Sequence, residues 1–196
     1  MISVRTTVNT AATTSDHPLP ALLADRVVML RDHTSVLIRP IRASDAELER
    51  EFVEGLSRES RRFRFLGEVK SLSPTAIQAL VNVDQQRDVA LVALIAEGAH
   101  KREIGVCRYN VRSDGVTCEC AVAVSDDWQH HGLGTLLMQE LIEIARARDI
   151  ECMYSLDAAD NAAMRELAAH LGFTRKPDTM DATLVLHCLD LKAPTA

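Results

Sequence analysis

One junction limits the folds open to this chain more than any other. A strand-like segment, 118–124, runs through a turn holding Gly132 and Gly134 into a strongly helical stretch, 133–148. The turn reads Trp128-Gln129-His130-His131-Gly132-Leu133-Gly134-Thr135. Glycine has no Cβ and tolerates positive φ, so the backbone there can come close to a ligand. The first N–H groups of a helix lack internal partners and lie at the positive end of its dipole. Such a turn can cradle a pyrophosphate without any basic side chain.

The surroundings narrow the choice of phosphate ligand. A dinucleotide fingerprint needs a third glycine soon after a strand. Here that position is Leu137, and seven residues separate Val124 from Gly132. Asp157 does imitate the ribose-binding acid, but the other two elements fail. A P-loop fails as well, because no Lys-Ser or Lys-Thr follows the glycines.

The rest of the chain reads as alternating short elements. Apolar runs at 26–30 and 36–42 flank Asp32-His33 and suggest a hairpin. Ser44 or Asp45 can cap a helix whose apolar residues Leu48, Phe52, Val53 and Leu56 fall at helical spacing. Ser57 opens a second helical stretch, and Ser73-Pro74 a third that runs to Val81. Strands follow at 89–96, 103–111 and 116–125, with Asp114-Gly115 a strong hairpin signal. Beyond the glycine turn come a strand at 151–156, a helix at 161–171 and a hairpin from Phe173 to Leu189. Helices interrupting a mainly antiparallel sheet predict a mixed α/β fold, the sheet flanked by helices, in one domain, 26–192. Residues 1–25, rich in Thr and Ala with Pro18 and Pro20, read as a flexible leader, and 193–196 as a tail.

Gln129, Gly132 and Gly134 occupy the fixed positions of the signature Q/R-x-x-G-x-G/A. The turn thereby resembles the acyl-CoA-binding motif of the GNAT superfamily of N-acetyltransferases. The likeness continues in family order. Val36 to Asp45 resembles the first strand running into the first helix, and Val122-Ala123-Val124 the end of the fourth strand. Asp160-Asn161-Ala162-Ala163-Met164 with Leu171-Gly172-Phe173 resembles the second signature. The resemblance implies acetyl-CoA as donor cosubstrate. It implies contacts from Val122, Ala123, Val124, Gln129, His130, His131, Gly132, Leu133, Gly134, Thr135 and Asn161. It also implies a splay between strands 116–125 and 151–156, where the pantetheine arm bonds to the backbone of Val122 and Val124.

Acyl transfer to an amine asks most for a base. An amine with pKa near 10.4 is neutral in only about one molecule in two thousand at pH 7. A positioned base is worth roughly 10²–10⁴ in rate. Glu119 is the candidate, lying on the strand that feeds the turn and sharing a face with Ala121 and Ala123. Pattern alone leaves a solvated glutamate equally open. The run Cys118-Glu119-Cys120-Ala121-Val122 resembles the glutamate-bearing strand of the protein-lysine acetyltransferase branch, which implies the base. Asn161 reads both as a helix cap and as a pantetheine contact. Many members place a tyrosine acid seven residues after this asparagine; here it is Ala168, so no acid is implied. His130 and His131 fill variable positions, as plain turn residues or as extra phosphate contacts.

The expected activity is acetyl transfer to a primary amine, a protein lysine side chain first. A small amine (polyamine, amino acid or aminoglycoside) and a non-catalytic acyl-CoA-binding module stay open. The net charge of −6 argues against nucleic acid as a partner. Against that charge runs one basic patch, Arg58, Arg61, Arg62 and Arg64 interleaved with Phe63 and Phe65. It reads either as a solvated arginine face or as a contact surface for an acidic partner or the nucleotide end of CoA. Five cysteines with no C-x-x-C pair read as reduced, buried thiols. Zinc held by Cys118, Cys120, His130 and His131 matches no usual spacing, so no metal is expected. Neither a membrane span nor a signal peptide is legible, so the expectation is a cytoplasmic monomer or homodimer without membrane contact.

Overall fold

Two short apolar runs build the first hairpin. Strands β1 (Arg26–Met29) and β2 (Ser35–Pro40) pair antiparallel, with Val28 opposite Val36. The computed structural model describes residues 22–192; the leader before residue 22 and the tail 193–196 lie outside the described residues. Residues assigned above to the end of the leader carry contacts. Leu22 is buried in the core and Asp25 pairs with Arg42 at 2.7 Å.

Three short helices follow: α1 (Ala46–Gly55), α2 (Arg58–Phe65) and α3 (Pro74–Val81). The Ser57 and Ser73 hydroxyls accept the backbone N–H of Ser60 and Ala76, each at 3.1 Å, and so start the second and third. Asp45 precedes α1 but does not cap it. Its carboxylate takes both Arg39 Nη atoms at 2.6 and 2.8 Å and the Arg42 N–H at 2.8 Å, locking the β2–α1 corner.

The remaining strands are β3 (Asp88–Glu97), β4 (His100–Val111), β5 (Thr117–Val124), β6 (Cys152–Ala158), β7 (Thr174–Pro177) and β8 (Leu184–Asp190). They form one eight-stranded sheet in the order β1-β2-β3-β4-β5-β6-β8-β7, antiparallel except for β5–β6. Helix α4 (Leu133–Arg146) buries Leu137, Leu141 and Ile144 on one face, where α5 (Ala162–His170) also contributes Ala168. Each such fully buried Leu or Ile side chain contributes about 1.5–3 kcal/mol. The other face carries α1 and α3, with Phe52, Val53 and Val81 against Val92 and Val106. The mixed, mainly antiparallel α/β architecture is thus present. α4 ends two residues before the expected 148, where a turn with Asp149 at φ 58° takes over.

A bulge between Ala93 and Leu94 changes what β4 buries. The extra residue turns Glu103 toward α1, where it lies 2% exposed beside Glu49, itself 1% exposed. Neither Glu103 oxygen has a hydrogen-bond partner among the described residues. Burial, then the Glu49 carboxylate, push Glu103 well above the usual carboxylate range, with Arg108 opposing. The native state therefore holds a proton that the unfolded chain releases near pH 4.3. This stability is full below that pH and is lost as pH rises through the raised native value. Glu103→Gln should remove the loss. Melting curves from pH 5 to 8 should show the variant gaining on wild type, by about 2–4 °C per kcal/mol recovered. Parallel curves would refute the protonated state.

Candidate active site

The parting of β5 from β6 opens the site. The two strands share only the register pairs Thr117–Cys152, Cys118–Met153 and Glu119–Tyr154. Arg112 N–H bonds the Thr117 carbonyl and Cys152 N–H bonds that of Val116, so odd residues of β5 address β4 and even residues address β6. Past Glu119 no β6 partner remains, and the backbone of Val122 and Val124 faces the gap. Unpaired backbone groups there call for an extended ligand. The Gln129 side-chain amide donates to the Val124 carbonyl at 3.3 Å, which takes one of these groups.

Gly132 shapes the turn that sequence reading expects to cradle a phosphate. It caps α4 with φ 83°, a left-handed conformation that costs a Cβ-bearing residue energy. The first main-chain bond at this end runs from Leu136 N–H to the Gly132 carbonyl at 3.0 Å. The N–H groups of Leu133, Gly134 and Thr135 thus remain at the positive end of the dipole.

A cavity of about 600 Å³ joins this cradle to the splay. Val122, Ala123, Val124, Gln129, His130, Gly132, Gly134, Thr135 and Asn161 line it. Two expected residues do not. His131 turns away to Asp32, 3.5 Å distant, and the Leu133 side chain is buried in the core, leaving only its backbone to face a ligand. Asn161 caps α5 by accepting the Met164 N–H at 3.0 Å and lines the cavity as well, so both readings coexist in its placement. Trp128 packs against the core and lines the same wall.

Of the opposite wall, sequence reading singled out only Phe63 and Arg64, within the basic patch, and missed Glu59 and Ser60. Helix α2 closes the cavity with Glu59, Ser60, Phe63 and Arg64. Asp126 pins it there: its carboxylate accepts the Ser57 N–H and hydroxyl, both at 2.8 Å, and the Ser60 hydroxyl at 2.7 Å. Burial works to raise the Asp126 pKa, but these bonds outweigh it and hold the group below the usual range. Asp157, noted above only as a ribose-acid mimic, also lines the cavity, held by Ser155 Oγ at 2.6 Å and His187 Nδ1 at 2.9 Å. An acid so far from the glycines in sequence carries no local signal.

Glu119 lies outside this cavity. It lines a second one of about 330 Å³, with Asp88, Arg108 and Asn110. The apolar surround suggested by Ala121 and Ala123 is only part of its setting. Glu119 is about half exposed, the Tyr154 hydroxyl donates to its Oε2 at 3.3 Å, and Arg112 Nη1 lies 3.4 Å from the same atom. Charge on Glu119, after burial, helps raise the Tyr154 pKa. The second cavity borders the first along β5, where Ala121 belongs to one and Val122 to the other.

The cysteines are free thiols, with Cys107, Cys118 and Cys120 buried and Cys152 and Cys188 half-buried. Burial pushes the Cys107 and Cys118 thiols up to about 12, so neither is a nucleophile near neutrality. Among the described residues no group of three or more His, Cys, Asp or Glu could hold a metal ion. None of the described helices is long and apolar enough to cross a membrane.

A sheet that parts beside a glycine-capped helix, with a second cavity abutting the first, has room for two reactants side by side. The acetyltransferase (GNAT) family model matches residues 59–173. Acetyltransferase PA5475 of Pseudomonas aeruginosa is 46% identical over 165 residues, covering 84% of this chain and 89% of that protein. The crystal structure of the GNAT domain of S. lividans PAT superposes with a TM-score of 0.76 at 26% identity, over 85% of this chain and 96% of that one. A point mutant of a cAMP-binding acyltransferase from Mycobacterium smegmatis matches with a TM-score of 0.58 at 25% identity. That match covers 90% of this chain, which spans 50% of that protein. The chain belongs to the acetyltransferase (GNAT) family and is an N-acetyltransferase. The family in general takes its acyl group from acetyl-CoA and delivers it to an amine.

Proposed function

We propose that this protein moves the acetyl group of acetyl-CoA to the side-chain amine of a protein lysine by direct attack, with Glu119 as general base. The carrying observation is the position of Glu119 in a second cavity that meets the donor cavity at Ala121 and Val122. The first cavity suits the donor, with its pyrophosphate on the α4 N-terminus and its pantetheine arm along Val122 and Val124. The second suits an amine on a narrow stem. Glu119 takes a proton from the ammonium, and the freed lone pair forms the N–C bond. The C–S bond then breaks with its electrons on sulfur, and the nitrogen gives its remaining extra proton to solvent to leave the neutral amide. CoA leaves as the thiolate, a tolerable leaving group with a thiol pKa near the ~8.5 of free Cys.

The lysine acceptor is supported by the resemblance of the Cys118 to Val122 run, with its Glu119, to the protein-lysine acetyltransferase branch. The likeness to the GNAT domain of S. lividans PAT supports it too. Incubation with isotopically labelled acetyl-CoA, a protein mixture and a panel of small amines should place label on lysine side chains, read by mass spectrometry. Label on small amines alone would overturn the acceptor. Binding of acetyl-CoA with no label anywhere would mark a binding module instead.

A further inference from the structure

The four arginines of α2 have unlike fates. Arg58 pairs with Glu68, Arg61 donates to the Glu54 carbonyl at 3.0 Å, and Arg62 pairs with Asp160 at 2.7 Å. The solvated face does not describe Arg64. It is half-buried and lines both cavities. Its guanidinium lies 5.2 Å from the Phe65 ring and has no hydrogen-bond acceptor or ion-pair carboxylate among the described residues.

Arg108 stands on the same wall. It is the register partner of Ala121, the residue at the border between the cavities. Its Nη1 donates to the Leu80 carbonyl at 3.3 Å and its Nη2 lies 3.8 Å from Glu49. Nε and Nη2 have no hydrogen-bond partner among the described residues. Burial, and then repulsion from Arg108, lower the Arg64 pKa to about 10, which still leaves it charged at pH 7. Two guanidiniums side by side, one with buried idle donors, make this wall a place that an anionic group would stabilise.

The reaction makes an anion at that border. On the function proposed above, thioester and amine meet where the cavities join. Negative charge first forms on the carbonyl oxygen as the N–C bond closes, then passes to sulfur as the C–S bond breaks. The usual tyrosine position is Ala168, 1% exposed, so no acid stands there to quench the thiolate. We propose that Arg64 is a catalytic residue whose guanidinium stabilises the negative charge passing from the thioester oxygen to the CoA sulfur. It supplies charge and hydrogen bonds and keeps its proton throughout. This rests on the acetyl-transfer reading.

Steady-state kinetics of Arg64→Gln and Arg64→Lys on the whole chain test it, with acetyl-CoA affinity by calorimetry and folding by thermal melting. Arg64→Gln should lower kcat by roughly 10²-fold, the scale of losing one oxyanion donor. Affinity for acetyl-CoA should stay within a few-fold and the melting point should hold. Arg64→Lys, which keeps the charge but not the fork, should recover part of kcat. Should Arg64→Gln not fold, a kcat loss in folded Arg64→Lys supports the role in its place. An unchanged kcat in either folded variant, beside an active wild type, overturns the role of Arg64 alone. A loss confined to the KM of carboxylate-bearing acceptors overturns it too, since Arg64 would then bind the acceptor. A wild type that binds acetyl-CoA but acetylates no amine overturns both readings.

Discussion

Glu119→Gln should lower turnover by roughly 10²–10⁴-fold while leaving acetyl-CoA affinity unchanged. Glu119 lines the cavity proposed for the acceptor and not the one proposed for the donor, so the two measurements separate cleanly. Gln keeps the shape and can still accept from the Tyr154 hydroxyl, now 3.3 Å from Oε2. The pair lost with Arg112 is about half exposed on both sides, and such pairs add only about 0–1 kcal/mol, so folding should hardly change. The defect should shrink as pH climbs toward about 10, because more of the amine arrives already neutral. Rates measured from pH 7 to 10 on each accepted amine check this. Unchanged turnover on all of them would remove Glu119 as the base.

The second large effect is expected at Gly134. A Cβ built there meets Leu167 Cδ2 at 3.5 Å and Val124 Cγ2 at 3.7 Å, which is ordinary contact. The protein therefore tolerates a side chain, and any penalty must appear in the ligand. In Gly134→Asp a carboxylate sits in the first turn of α4, where it suits the helix dipole. It would occupy the cradle proposed for the pyrophosphate. Like charges forced together cost several kcal/mol, so acetyl-CoA affinity should fall on the order of 10²-fold or more. The melting point should stay level or rise. Gly134→Ala should lose far less, since it adds bulk without charge. Calorimetry with acetyl-CoA beside melting curves separates the cases, and unchanged affinity in the Asp variant would sink the donor-site assignment.

The elements were legible where neighbours decide them. Ser57, Ser73 and Asn161 each cap a helix three residues ahead through their own side chains. Apolar runs and the Asp114-Gly115 turn marked β3 to β5, and apolar spacing marked the face of α4. Asp45 broke this logic, because Arg39 competes for its carboxylate and wins with two bonds. Glu103 broke it because one bulged residue reverses the faces of a strand, and strand pattern cannot count a bulge in advance.

The same divide runs through the site. The donor half follows from contiguous residues: the glycine turn, the helix start and the even-numbered backbone of β5 lie within one short stretch, so their geometry is largely local. The wall opposite the turn, and the border with the second cavity, are assembled by docking. Helix α2 interleaves Phe63 and Phe65 with arginines at positions that share no single face, so its own pattern does not say which arginine turns inward. That is settled by Asp126, bonded to Ser57 and Ser60 across 69 and 66 residues, and by Asp160, holding Arg62 across 98. Glu119 gains Tyr154 only because β6 runs beside β5 for three register pairs before parting. Local backbone preference is enough to build a phosphate cradle. Bringing a base and a free guanidinium to one border takes long-range contacts, whose free energy belongs to the packed molecule and not to any segment of its sequence.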